Sequence, residues 1–126
     1  MEALMEIIYS TIKDVERLMK GLADESRLKI LYLLDDTGEA CVRDIQQVLK
    51  VPQPTVSRHL GLLKRMGLVD NRRRGKWNYY YIIKKQPDMV KYLMTDLLTQ
   101  DPFKRIFRTE MKTQIDRLLP RPKGKR

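Results

Sequence analysis

The sequence predicts a mainly α-helical domain with one small β-hairpin. Three observations carry that reading. Apolar residues recur in steps of three and four along most of the chain, the spacing of helices with one buried face. Between residues 68 and 83 the pattern turns β-rich, with Trp77, Tyr79, Tyr80, Tyr81, Ile82 and Ile83 close together. The chain has 126 residues, 42% of them apolar and 33% charged, which suits one globular domain and is too apolar for full disorder.

The first segment repeats Leu4, Ile8, Ile12, Val15, Met19 and Leu22 as one helical stripe without proline, and Gly21 loosens its end. Such a stripe serves either the domain's own core or the face of a second copy. A chain of this size buries only roughly two-thirds of its unfolded surface, so a second copy would help complete the core. Asp24 is a good N-cap for the next helix, in which Leu28, Leu31 and Leu34 share a face up to Asp35 and Asp36. Thr37-Gly38 breaks the chain, and a short extended piece around Ala40 and Cys41 leads into a helix over 42–49 with Ile45, Val48 and Leu49 on its apolar side.

Residues 50–53, with Pro52, have room only for a tight turn. Pro54 suits the first helical position of the following element, which turns Val56, Leu60, Leu63 and Met66 inward and ends on Gly67. Strands are predicted over 68–73 and 76–83, with Arg74-Gly75 as the turn between them. Pro87 starts another helix, with Met89, Val90, Leu93, Met94, Leu97 and Leu98 inside. Asp101-Pro102 reads as a cap and first residue for the last one, whose apolar side is Phe103, Ile106, Phe107, Met111, Ile115, Leu118 and Leu119. Pro120 and Pro122 end it, and residues 120–126 form a basic tail expected to be flexible.

This order of elements places a winged helix-turn-helix in the middle of a single domain over 1–119, with 42–66 as the helix-turn-helix and 68–83 as the wing. Such a fold presents the N-terminal end of its second helix to base edges in the major groove. Gln53, Thr55, Ser57, Arg58 and His59 supply short-range donors and acceptors there, interleaved with Val56 and Leu60 to hold the helix rigid. Arg58 can form a bidentate pair with guanine and Gln53 one with adenine. Thr55 and Ser57 suit phosphates or capping, and His59 suits a base or phosphate first, with a structural role and a ligand role as the alternatives. The alternative is a solvated polar face on an ordinary core helix. On the wing, Arg72, Arg73, Arg74 and Lys76 repel one another unless a polyanion lies across them; otherwise they are a solubilising charge run. The aromatic cluster is expected to pack beneath the wing.

Charge points the same way. Lys and Arg total 26 against 16 Asp and Glu, a net charge of +10, and double-stranded DNA is the partner that fits. One His and one Cys leave little room for metal or nucleophilic catalysis. No glycine-rich phosphate loop, Ser-His-Asp set or apolar carboxylate pair is present, so neither an enzyme nor a bound cofactor is expected. The single Cys suits a reducing compartment. No apolar run approaches the roughly 20 residues of a membrane span. Glu2 and Glu6 stand where a signal peptide is basic. The expectation is a cytoplasmic protein without a membrane partner.

Three motifs in register carry a family resemblance. Leu22-Ala23-Asp24-Glu25-Ser26-Arg27-Leu28-Lys29-Ile30-Leu31 resembles the opening signature of the ArsR/SmtB family of winged-helix repressors. Gln53-Pro54-Thr55-Val56-Ser57-Arg58-His59-Leu60, followed by Leu63 and Gly67-Leu68-Val69, is similar to its recognition helix, and the run from Arg72 to Tyr81 to its wing. The resemblance covers roughly residues 20–83. It implies a homodimer through the first and last helices (1–22 and 102–119), repression at a partly two-fold-symmetric operator, and release by an effector. Metal-sensing members carry Cys-Val-Cys-Asp in the third helix. This chain has Cys41-Val42-Arg43-Asp44, one thiol where two belong, and no His in the last helix. No metal site is therefore expected and the effector stays unassigned. Cys41 is inert packing, a thiol sensor joined across the dimer with Arg43 beside it to lower its pKa, or part of a remodelled site. Pro52 stands where the family often has a Ser cap, at a cost of about 1 kcal/mol unless Thr55 or Gln53 takes the role. A non-specific architectural DNA-binding protein using the basic surface is the competing reading.

Overall fold

Thr11 opens the first described helix with a reciprocal cap: its hydroxyl accepts from the Asp14 amide at 3.1 Å, and Asp14 accepts from the Thr11 amide at 3.0 Å. The computed structural model describes residues 11–86 and 88–119, so Leu4, Ile8, Pro87 and the tail from Pro120 lie outside it. In chain order the elements are α1 (Ile12–Leu22), α2 (Glu25–Thr37), β1 (Ala40–Cys41), α3 (Val42–Leu49), α4 (Gln53–Arg65), β2 (Val69–Arg74), β3 (Trp77–Ile82), α5 (Asp88–Thr99), α6 (Phe103–Phe107), a π-helical turn (Arg108–Lys112) and α7 (Thr113–Leu118). This is a winged helix-turn-helix, mainly helical as the periodicity predicts.

The α2 helix is the axis of the core. The apolar spacing predicts one stripe, yet Ile30, Leu31, Tyr32, Leu33 and Leu34 are all buried while Leu28 is only half-buried. Packed against α3, α4, α5 and β3, the stretch Ile30–Leu34 is enclosed on all sides, and the polar residues sit at the two ends of the helix. Asp24 caps it as expected, accepting from the Arg27 amide at 3.0 Å. Ile45, Val56, Leu60, Leu63 and Leu68, all fully buried, complete the core around it.

The α4 helix ends as Gly67 requires. With φ at 79°, Gly67 donates to the Lys64 carbonyl at 3.0 Å and Leu68 donates to the Leu63 carbonyl at 3.0 Å. The chain is thereby aimed into the wing. That wing is three-stranded, in the order β1-β3-β2 and antiparallel throughout, because the short piece at Ala40–Cys41 pairs with Tyr80 and Tyr79. The hairpin turn falls on Gly75-Lys76, one residue later than predicted, with Gly75 at φ 63°. Arg74 instead closes β2 opposite Trp77.

The last helix departs most from expectation. Pro102, and not Asp101, occupies the capping position, without a side-chain cap bond. A π turn interrupts the helix; Met111 and Ile115 of the predicted apolar side are buried and Phe107 stacks on Tyr32 at 5.1 Å, while Phe103 and Ile106, ahead of that turn, stay 49% exposed. Lys112 anchors this turn to α2, with Nζ 2.9 Å from Asp36. On α1, likewise, Leu18 and Leu22 face the core, whereas Ile12 and Met19 of the predicted stripe are 89% and 45% exposed. No described helix is long and apolar enough to cross a membrane.

Candidate nucleic-acid interface

Between α3 and α4 the backbone turns at Lys50, in the left-handed region at φ 58°, and re-enters a helix at Gln53 with Pro54 in its first turn. Val56, Leu60 and Leu63 seat α4 on the core. Gln53, Ser57 and Arg58 are exposed and Thr55 is half-buried. Gln53 and Ser57 lie one turn apart and are joined, the amide Nε2 donating to the Ser57 hydroxyl at 2.8 Å. Neither Thr55 nor Gln53 replaces the missing cap; the first turn is closed by the Thr55 and Val56 amides, which donate to the Pro52 carbonyl at 3.0 and 3.1 Å. Arg58 makes no ion pair among the described residues, which leaves its five donors to an external acceptor.

His59 corrects the sequence reading. It is 7% exposed and turned towards α2, so it cannot contact bases or phosphates. Arg27 Nη1 lies 3.0 Å from His59 Nδ1, and Asp24 is 3.9 Å from Nε2. Since arginine only donates, Nδ1 is the acceptor and the ring is neutral. Burial holds its pKa below the ordinary value, with Arg27 and Arg58 adding to the effect and Asp24 opposing it. Arg27 also donates through Nε to the Gly21 carbonyl, and through Nη2 to Lys20 at 3.5 Å. One guanidinium thus ties the end of α1 to the middle of α4. Sequence spacing gives no signal for a contact between residues 32 positions apart.

The four wing cations are not equivalent either. Arg72 lies over the Tyr81 ring at 4.6 Å and Arg74 over Tyr79 at 4.2 Å, and Arg74 is also paired with Glu39. Lys76 and Arg43 flank Trp77 at 5.3 and 5.8 Å. The mutual repulsion expected of these cations is therefore relieved within the fold, by π faces and one carboxylate. Arg73, opposite Asn78, projects on the other face of the sheet. That face carries Asn71, which bonds to Asn78 at 2.9 Å and accepts from Lys64 of α4 at 2.7 Å. Arg73 thus shares the side of the wing that is bonded to α4, with Asn78 as its cross-strand neighbour.

Cys41 is buried, and burial pushes its thiol pKa up. The basic neighbour that might have activated it, Arg43, turns to Trp77. Among the described residues, no three His, Cys, Asp or Glu side chains converge as a metal site would require.

A family model described as "Bacterial regulatory protein, arsR family" matches residues 24–71, from the α2 cap through α4 into β2. An HTH-type transcriptional regulator of Methanocaldococcus jannaschii is 42% identical over 80 residues, spanning 64% of this chain and 90% of that protein. The chain belongs to the ArsR family. It is a DNA-binding transcriptional regulator of that family, not an enzyme. The arsenical resistance operon repressor of Escherichia coli is 50% identical to this chain over 64 residues, which span 55% of that repressor's length and 51% of this chain. The solution structure of a homodimeric winged helix-turn-helix DNA-binding domain from Mycobacterium bovis superposes with a TM-score of 0.55 at 38% identity, covering 64% of this chain and 71% of that one.

Proposed function

We propose that the protein is a sequence-specific repressor that occupies a partly two-fold-symmetric operator as a homodimer and leaves it when an effector binds. The observation that carries this reading is Arg58, exposed and without a carboxylate partner among the described residues, at the solvent side of a helix whose other face is locked into the core. The linked Gln53–Ser57 pair stands beside it, and Arg73 adjoins the same side for phosphates. Repression is supported by the relative named as an operon repressor, and dimerisation by the neighbour named as homodimeric. The exposed apolar side chains Ile12 and Met19 on α1, with Phe103 and Ile106 on α6, are the faces a second copy would cover. Within the domain over 1–119, residues 1–22 and 102–119 then serve dimerisation, 42–66 form the helix-turn-helix, 68–83 the wing and 120–126 a basic tail. Half-sites should lie about 34–36 Å apart along the duplex.

The test is a base-by-base substitution series in a duplex selected for tight binding, measured with the parent protein and Arg58→Ala. The variant should lose about 1–3 kcal/mol of discrimination at one position per half-site. Equal affinity of the parent for every duplex would favour instead an architectural protein held by its net charge of +10.

A further inference from the structure

Behind the recognition helix, between the last turns of α1 and α4, lies a cavity of about 470 Å³ that DNA binding does not use. Its floor is apolar, made by Leu18, Leu62 and Met66. Its rim is cationic, with Arg17, Arg27 and Arg65. Asp14 is the lining carboxylate on the α1 side, and it is already engaged by Arg17 at 2.9 Å and by the Thr11 cap. Arg65 has no carboxylate partner among the described residues. The volume falls in the range of small-molecule sites, roughly 300–1,000 Å³. An inorganic anion would leave the floor unused, and an uncharged hydrophobe would leave the Arg65 charge unmatched.

We propose that this cavity binds a small organic anion, its apolar body on Leu62 and Met66 and its carboxylate or sulfonate on Arg65 and Arg27. Occupancy would reach the DNA-reading surface through Arg27. Its donors are now shared between the Gly21 and Lys20 carbonyls and His59 Nδ1. An anion that accepts from Arg27 competes with all three, and so loosens the tie between α1 and α4. This relay rests on the effector-release reading above; binding at the cavity does not.

The experiment uses the full chain, labelled with ¹³C at the methionine methyls and titrated with 1-naphthoate, with 1-naphthalenemethanol as the uncharged counterpart. The Met66 resonance should shift saturably while that of Met111, which lines a separate groove against α2, stays in place. Naphthoate should bind about tenfold more tightly than the alcohol, the scale of one charge-assisted hydrogen bond in a partly wet site. Arg65→Gln should remove that advantage, and Leu62→Trp, which fills the floor, should abolish the Met66 shift. Equal binding of the alcohol, shifts centred on Met111, or an unchanged titration in Arg65→Gln would overturn the site. A second arm measures affinity for the selected duplex at saturating naphthoate. A saturated Met66 with unchanged DNA affinity overturns the relay and upholds the cavity. An unmoved Met66 overturns the cavity and leaves effector release by another route standing.

Discussion

Replacing Gly21 by alanine should change sign with the residue at position 66. A Cβ built on Gly21 falls on the thioether end of Met66, Sδ and Cε, well inside the roughly 3.5–4 Å at which such atoms attract. The thioether must therefore swing aside; as the end of a flexible side chain that lines the cavity described above, it does so at the low end of the overpacking range, about 1–2 kcal/mol. Against it stands the gain from replacing a helical glycine by alanine, about 1 kcal/mol. The difference predicts that Gly21→Ala destabilises the parent by about 0–1 kcal/mol. In a Met66→Val background the two offending atoms are gone, and the same Gly21→Ala change should stabilise by about 0.5–1 kcal/mol. The coupling between the two positions is then about 1–2 kcal/mol. Urea unfolding of the four proteins at one pH, with matched slopes, measures it. If Gly21→Ala were equally destabilising in both backgrounds, the close approach of α1 to the end of α4 would not be what selects glycine there.

The buried histidine makes stability depend on pH. Its folded pKa is depressed, so the unfolded chain binds the proton more readily, and stability is complete above the ordinary value of about 6.5 and is lost as pH falls through the lower folded value. Asp24, held below its ordinary 3.8 chiefly by the Arg27 amide, extends the decline to lower pH in the same direction. Unfolding midpoints should fall from pH 7 to 5 in the parent and less in His59→Gln; a flat parent curve would refute this. Lys112 runs the other way. Burial works against its charge, but Asp36 and Asp116 outweigh burial and raise its pKa, so the contribution persists below 10.5 and fades as pH rises through the raised value. Lys112→Met should cost about 1 kcal/mol in the same unfolding assay, and a neutral result would show that the anchor between the π turn and α2 does not hold the last helix. On the wing, Arg73→Ala should lower affinity for all duplexes and reduce the slope of log affinity against log salt by about 1. Arg74→Ala should reduce it less, because Glu39 already neutralises that cation; equal slopes would contradict the assigned faces of β2.

The elements themselves were legible in the sequence because their causes are local. The Asp24 cap, the Gly67 terminator and the inward set Val56, Leu60 and Leu63 each depend on atoms within a turn or two of the same helix. The same holds for the exposed Gln53, Ser57 and Arg58. Where the reading failed, the deciding contact came from far along the chain. His59 looked like a DNA contact by its place in the helix, and it is buried because Arg27 reaches it from α2. The wing read as four equal cations, yet strand register sets Arg73 apart from Arg72 and Arg74, and a single-residue shift would exchange their faces.

Sequence by itself determined that this chain is a basic, helix-rich domain with a reading helix and a cationic hairpin, since composition and short-range periodicity suffice for both. Tertiary structure alone decided which of those side chains remain available to a partner. Availability depends on neighbours brought together across the fold. A donor already satisfied by Gly21, Tyr79 or Glu39 differs from a free one only after the chain has closed.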